Sequence, residues 1–284
     1  MDEQNTDILE RIHASYYQLT TAERKVADFV LAQHDQVQFM SITQLADECG
    51  TAEATISRFC RSLQLKGFNA FKIELARHSA TNGKPKRKEE TTKNTLIGRS
   101  LEVGRMANDA VYQTVSLVDP AQVEKAVKMI EDAPRVLCFG AGGSMIMASE
   151  FAHLFSTVTS KFQAISDSHV QMSAVATMGK RDIIVLFSYS GATTGGLQIL
   201  ELAKSRGIRA ILVTRFPKSP AASLAEVVLR CGSNEGPFQF GSIPAKIAQL
   251  IVMDVVFQEY CHRNRAECEK NVQSIASALS GMHV

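Results

Sequence analysis

Residues 182–188, DIIVLFS, limit what this chain can fold into more than any other segment. The run is almost continuously apolar, so a strand made from it has no face to give to water. Such strands belong to parallel sheets covered by helices on both faces. The same signature recurs in RVLCFG (135–140), KFQAI (161–165), RAILVT (209–214) and EVVLR (226–230). Between these runs lie helical stretches from Ser144 to Val158, near 168–178 and over 194–206. The alternation predicts an α/β fold with a doubly wound parallel sheet. A strongly apolar helix over 243–261 and a more polar one over 264–280 follow. No internal repeat is present.

The first 78 residues follow a different rule, with apolar residues at helical spacing throughout. Ile8, Leu9, Ile12, Tyr16 and Leu19 form one stripe. Thr21 is placed to cap a second helix carrying Val26, Phe29 and Val30. Ser41 is placed to cap a third, with Ile42, Leu45, Ala46 and Cys49 at i, i+3, i+4 and i+7. Gly50 breaks that helix, and Thr51 is placed to cap a fourth, whose stripe is Ile56, Phe59, Cys60 and Leu63. The polar, charged segment 81–95 holds Gly83 and Pro85 and reads as a linker, and 96–118 reads as a connecting helix. The expected organisation is therefore an all-α domain over 1–80, a linker and connecting helix over 81–118, and the α/β domain over 119–284.

Two short helices meeting at Cys49-Gly50-Thr51 make a helix-turn-helix corner. Charge gives that corner a use. Residues 1–54 hold three basic residues against ten acidic ones; residues 55–88 hold nine basic residues against Glu74 alone. One positive face within a chain of net charge +2 suits a polyanion. The second helix leaves Thr55, Ser57, Arg58 and Arg61 off its apolar stripe. With Thr51 at its start, these are candidates for base edges and phosphates. Lys66, Lys72 and the cluster Lys84, Lys86, Arg87 and Lys88 are candidates for phosphate neutralisation.

Two loops follow predicted parallel strands at their C-terminal ends, where α/β sheets bind ligands. The first runs Gly140-Ala141-Gly142-Gly143-Ser144, the second Ser188-Tyr189-Ser190-Gly191-Ala192-Thr193-Thr194. Glycine lets backbone approach an anion, a following helix start offers free amides, and hydroxyls add uncharged donors. The pair reads as a phosphate cradle. No cofactor is called for. The first loop has Met145 where a dinucleotide fingerprint needs its third Gly, and no Gly-Lys-Ser/Thr completes a nucleotide P-loop.

Other classes fall away. The six cysteines form no C-x-x-C pair and sit mostly in apolar patterns, so they read as reduced core residues rather than disulfides or a metal site. The opening Met-Asp-Glu carries no apolar signal core, and no uncharged apolar run spans a bilayer. A cytoplasmic protein with no membrane partner is the expectation.

These residues also carry a family pattern. LFSYSGATT (186–194) resembles the I-S-x-S-G-x-T signature of the sugar isomerase (SIS) domain, a flavodoxin-like doubly wound fold. The N-terminal T-x-x-E-R-K-V-A-D-F-V, T-I-S-R-F-C-R-S-L and K-G-F-x-x-F-K are similar to the RpiR-type helix-turn-helix. Together they resemble RpiR-family regulators over nearly the whole chain. The resemblance implies that Ser188, Ser190 and Thr193 hold a phosphate, helped by Ser144, the adjacent Gly142 and Gly143, and the Tyr189 backbone. It further places Asp167, Ser168 and His169 at the pocket border, with the Gly241-Ser242 turn and Lys246 closing it. His169 reads equally as a capping or surface histidine, and Lys246 as a surface cation.

The expectation is a transcription regulator, not an enzyme, that binds double-stranded operator DNA and a phosphorylated sugar effector. A homodimer or homotetramer would place two heads on half-sites about 34–36 Å apart or a multiple of that. The alternative is a sugar-phosphate isomerase or lyase, with Glu235 as base and the helical head as an oligomerisation module. Ala192 stands where synthases of this type often carry Glu, and no clear acid/base pair accompanies the Ser-rich loop.

Overall fold

Short polar side chains set the starts of the N-terminal helices. In α1 (Ile8–Ser15) the Asp7 carboxylate accepts from the Leu9 amide at 2.8 Å. Helix α2 (Thr21–Val37) is capped by Thr20, not by the expected Thr21. Thr20 and Glu23 satisfy each other's amides, at 3.4 and 2.9 Å, and this reciprocal box fixes the start one residue earlier. Ser41 caps α3 (Ile42–Glu48) as expected, in a box with Gln44. Helix α4 (Glu53–Ser62) starts after Ala52 with no side-chain cap. The expected cap, Thr51, is held in the turn by its own amide, which donates to the Ala46 carbonyl at 2.9 Å. Helices α5 (Phe68–Asn82) and α6 (Leu96–Leu117) follow.

This computed structural model describes residues 7–82, 95–233 and 243–280, and its contacts divide the chain into two units, with a boundary inside α6 between Arg105 and Met106. Lys84, Lys86, Arg87, Lys88, Glu235, Gly241 and Ser242 lie outside the described residues, as does most of the 81–95 linker.

The head's core is Ile12, Val26, Val30, Leu45, Ile56, Phe59, Phe71 and Leu75, all without measurable exposure. Phe59 and Phe71 meet edge to face at 5.5 Å. A carboxylate is buried among these helices. Glu23, 6% exposed, accepts from the Thr20 hydroxyl at 2.6 Å and the Ser62 hydroxyl at 3.1 Å.

The second unit opens on α7 (Pro120–Asp132), which the sequence reading passed over. Its signals were present: Asp119 caps it, Pro120 occupies the first turn, and Val123, Ala126, Val127 and Ile130 form the buried stripe. Then come β1 (Val136–Phe139), α8 (Gly143–Ser156), β2 (Phe162–Ala164), α9 (Ser168–Thr177), β3 (Ile183–Phe187), α10 (Thr194–Ser205), β4 (Arg209–Thr214) and β5 (Val227–Arg230). Helices α11 (Ile243–Arg263) and α12 (Arg265–Leu279) close the chain.

All strand pairs are parallel, in the order β2-β1-β3-β4-β5. This is the doubly wound arrangement expected from the continuous apolar runs. Along β1 and β3 the side chains alternate between two cores. Cys138, Val185 and Phe187 pack with α7, α8 and α11; Leu137, Phe139, Ile184 and Leu186 pack with α9 and α10. An aromatic group around Phe155, stacked on Phe162 at 4.1 Å and edge-on to Phe257 and Tyr260, fills the first of these cores.

Burial acts to raise the Glu23 pKa, but its bonds from Thr20 and Ser62 and the nearby Arg58 charge outweigh it and hold the carboxyl below its ordinary value of 4.5. A lowered folded pKa adds stability that is complete above the ordinary value and is lost as pH falls from there through the lowered one. Melting of the full chain between about pH 6 and pH 3 should therefore show acid destabilisation that is shallower in Glu23→Gln. Identical pH profiles would remove Glu23 from the account.

Candidate functional site

The sheet order makes β1 and β3 neighbours while sending their following helices to opposite faces. The crevice this opens lies at the C-terminal ends of the two strands, and both Gly/Ser loops stand there.

In the first loop, a Cβ on Gly140 would lie 2.5 Å from the Ser144 carbonyl oxygen, so only glycine allows the chain to curl this tightly. Gly142 has φ +55°, and α8 begins behind it with no side-chain cap. Gly142 and Gly143 are exposed and Ser144 is half-buried. In the second loop the Ser188 amide extends the ladder by donating to Val213 at 3.0 Å, which fixes Ser188 at the sheet edge, 4% exposed. Its hydroxyl lies 3.1 Å from that of Thr193. Thr193 occupies the cap position of α10 but makes no capping bond there. The Ala192 amide donates to Ser190 Oγ at 3.3 Å. Gly191 has φ +60°, and a Cβ there would fall on the Ser219 side chain.

The loops thus bring together Ser188, Ser190 and Thr193 and the uncapped starts of two long helices. Such starts carry partial positive charge, although at α8 the Ser144 and Met145 amides already donate to the Ala141 and Gly142 carbonyls at 3.1 Å. Neither loop contains a carboxylate. Chemically this is a place for a compact, multiply charged anion. Grooves of 480 and 590 Å³ open elsewhere, along Val118, Val123 and Val255, but share no residue with either loop.

Tyr189 is anchored on the far side of the loop through its carbonyl and its hydroxyl. Its carbonyl accepts from Thr214 Oγ1 at 3.0 Å and from the Arg215 amide at 3.1 Å, and its hydroxyl donates to the Ser233 carbonyl at 2.6 Å. Asp167 caps α9 by accepting from the Val170 amide at 2.9 Å, and Ser168 and His169 are exposed in that first turn. Lys246 is half-buried in the first turn of α11.

Sequence reasoning missed Gln171. It is 4% exposed and donates to the Ile165 carbonyl at 2.6 Å and the Gly140 carbonyl at 3.3 Å, tying the first loop to the end of β2. Its signal was a polar residue one helical turn before buried Val175.

In the head, Gly50 at φ +59° makes the turn from α3 to α4. Thr43 donates to the Glu53 carboxylate at 2.5 Å across the corner. Ala54, Arg58 and Arg61 are exposed along one side of α4, with Ser57 half-exposed beside them. Thr55 differs from expectation: it is 4% exposed, and its hydroxyl accepts from Arg58 at 3.3 Å. It lies on the stripe with Ile56 and Phe59 rather than on the outer side. Thr51 is half-buried, Lys66 is exposed, and the Lys72 ammonium lies 5.8 Å from the Phe68 ring centre.

Two family models match the chain: a helix-turn-helix domain of the rpiR family over residues 6–82 and a SIS domain over 129–258. An HTH-type transcriptional regulator of Haemophilus influenzae is 30% identical over 255 residues, covering 88% of each chain. This chain belongs to the RpiR family of helix-turn-helix transcriptional regulators. Another curated relative, the HTH-type transcriptional regulator HexR of Escherichia coli, is 27% identical over 96% of this RpiR-family chain and 94% of its own. Among solved structures, the NanR protein of Vibrio vulnificus in complex with ManNAc-6P superposes with a TM-score of 0.85 at 25% identity. It covers 98% of this regulator and 99% of the NanR chain. Among the described residues, no helix is long and apolar enough to cross a membrane, and no group of three or more His, Cys, Asp or Glu is placed to hold a metal.

The loop geometry of this RpiR-family regulator makes a direct claim on stability. Gly191→Ala imposes a left-handed φ on a residue with a Cβ and drives that Cβ into Ser219. Chemical denaturation should show a loss of about 1–3 kcal/mol. A variant as stable as wild type would mean that the loop is not held in this conformation.

Proposed function

We propose that this regulator binds operator DNA through α4 and that a phosphorylated sugar, bound between the β1–α8 and β3–α10 loops, controls that binding. The observation that carries the reading is the pair of hydroxyls, Ser188 and Thr193, 3.1 Å apart at the uncapped start of α10 and facing the uncapped start of α8 across the sheet's switch point. A phosphate monoester supplies the charge and the several acceptor oxygens that such donors lack. The NanR structure, with its phosphorylated amino sugar, supports the same class of effector for this chain.

Ser188, Ser190, Thr193, Ser144 and the glycines 142 and 143 take the phosphate. His169 and Lys246 border the sugar. On the DNA side, Ser57, Arg58 and Arg61 reach base edges and phosphates, with Lys66 and Lys72 on the backbone. Thr55 drops out of the contact set because it is buried. The protein acts as a homodimer or homotetramer, so that two heads read a two-fold operator. Its relatives are named as regulators, and the cradle's donors are hydroxyls and amides; incubation with hexose and pentose phosphates should give no isomer.

Two measurements test this reading. Ser188→Ala/Ser190→Ala should weaken binding of ManNAc-6P or another hexose 6-phosphate by a few hundred-fold in calorimetry, since each hydrogen bond to a charged oxygen contributes roughly 1.5–3 kcal/mol. Equal affinity in the variant and wild type would put the effector elsewhere. For DNA, an operator can be selected from a random duplex pool with the full chain. Arg58→Ala should then cost about 1–3 kcal/mol if Arg58 reads a base, and rising salt should weaken binding steeply. Undiminished operator affinity in Arg58→Ala/Arg61→Ala would sink the assignment of α4.

A further inference from the structure

The Ser-rich loop is tied through two residues to the helix that carries the chain between its two units. The Ser233 carbonyl, just beyond β5, receives the Tyr189 hydroxyl at 2.6 Å and Arg215 Nε at 3.0 Å. Tyr189 sits between Ser188 and Ser190, and Thr214 and the Arg215 amide hold its carbonyl from below. Any shift of the two serines therefore moves a backbone whose tyrosine is anchored at Ser233.

The next residue back, Gly232, is locked to α6. Its amide donates to Thr114 Oγ1 at 3.0 Å. The Thr114 hydroxyl donates to the Ala110 carbonyl at 2.6 Å, with the Gly232 carbonyl 3.3 Å away. Thr114 is fully buried, so water cannot substitute for these bonds. Gly232 has no room to yield: a Cβ on it would lie 2.6–2.7 Å from the Gln113 backbone carbon, Gln113 Cβ and the Thr114 nitrogen. Helix α6 begins at Leu96, in the first unit, and these contacts fall on its stretch in the second.

We infer that Thr114 and Gly232 are positioning residues that transmit occupancy of the Ser188–Thr193 loop to α6, by way of Tyr189 and Ser233. The inference rests on the reading of that loop as the effector site. Packed contacts of this kind exchange between discrete arrangements rather than deforming continuously. Displacement at Tyr189 therefore passes to the register of Gly232 against Thr114 and on to the helix leading to the DNA head. Thr114 touches neither loop in any bond described above, so its loss should separate response from binding.

The test uses the full chain, the selected operator, and ManNAc-6P, glucose 6-phosphate and inorganic phosphate as probes. Thr114→Val keeps the side chain's shape but removes the hydroxyl; Thr114→Ser restores it. All three proteins should bind the best probe within about twofold of one another in calorimetry. Wild type and Thr114→Ser should show a change in operator affinity on probe binding of about fivefold or more, and in Thr114→Val the ratio should collapse towards one. A Thr114→Val protein with the wild-type ratio overturns the inference, as does a wild type whose operator affinity ignores a bound probe. If Thr114→Val does not fold, amide hydrogen exchange of wild type decides instead. The probe should change protection at Gly232 and Ser233, and Ser188→Ala/Ser190→Ala should abolish that change. Unchanged protection overturns the coupling. Failure of the effector reading looks different: wild type binds no sugar phosphate, or the double serine variant binds it equally well, and the coupling then falls with it.

Discussion

Burial of β3 on both faces is the constraint on which the second unit depends. Ile183 to Phe187 have no water-facing side, so helices must cover the sheet above and below. Once they do, the polar chemistry has nowhere to go but the strand ends. The chain reaches β2 on one side of β1 and β3 on the other. The loops after β1 and β3 then part and leave a crevice floored by the sheet edge. Ser188 shows how firm that floor is: its amide is still part of the ladder while its hydroxyl is already part of the site.

The helical head solves a different problem with the same economy. Its stripes converge on Phe59 and Phe71, and its polar core group, Glu23, links the start of α2 to Ser62 at the end of α4. That link stabilises the orientation of α4, the helix whose outer side carries Arg58 and Arg61. One carboxylate and a pair of aromatic rings therefore join the helices that fix where α4 lies.

Much of this was legible in the sequence because it is local. Continuous apolar runs announce buried parallel strands, and Gly50 between two matched stripes announces the corner. The Ser/Gly loops were visible because they interrupt apolar surroundings. What escaped has long-range or reciprocal causes. Thr20 displaces Thr21 as a cap only because Glu23 returns the bond. Helix α7 carries its own start signal in Asp119-Pro120 and its own stripe in Val123, Ala126, Val127 and Ile130, so it too was legible locally. Thr55 falls on the buried side of α4, one helical turn before Phe59, where its hydroxyl is satisfied by Arg58 rather than by water. Gln171 left only the faint signal of a polar residue one turn before buried Val175, and Thr114 left none, since the Gly232 amide that its hydroxyl receives lies 118 residues away in sequence.

Ser188, Ser190 and Thr193 are neutral, as are the amides at the starts of α8 and α10; Lys246 is the one cation assigned to the pocket border. Neutral donors do not titrate between acid and alkaline extremes, and short-range hydrogen bonds are hardly screened by dissolved ions. A head that grips phosphates with Arg and Lys behaves in the opposite way, releasing counterions and weakening as salt rises. The two ends of this molecule are thus built from electrostatics of different range. Under the proposed function, a cell whose ionic strength fluctuates would alter the grip of the head on DNA far more than the filling of the cradle by a phosphorylated sugar.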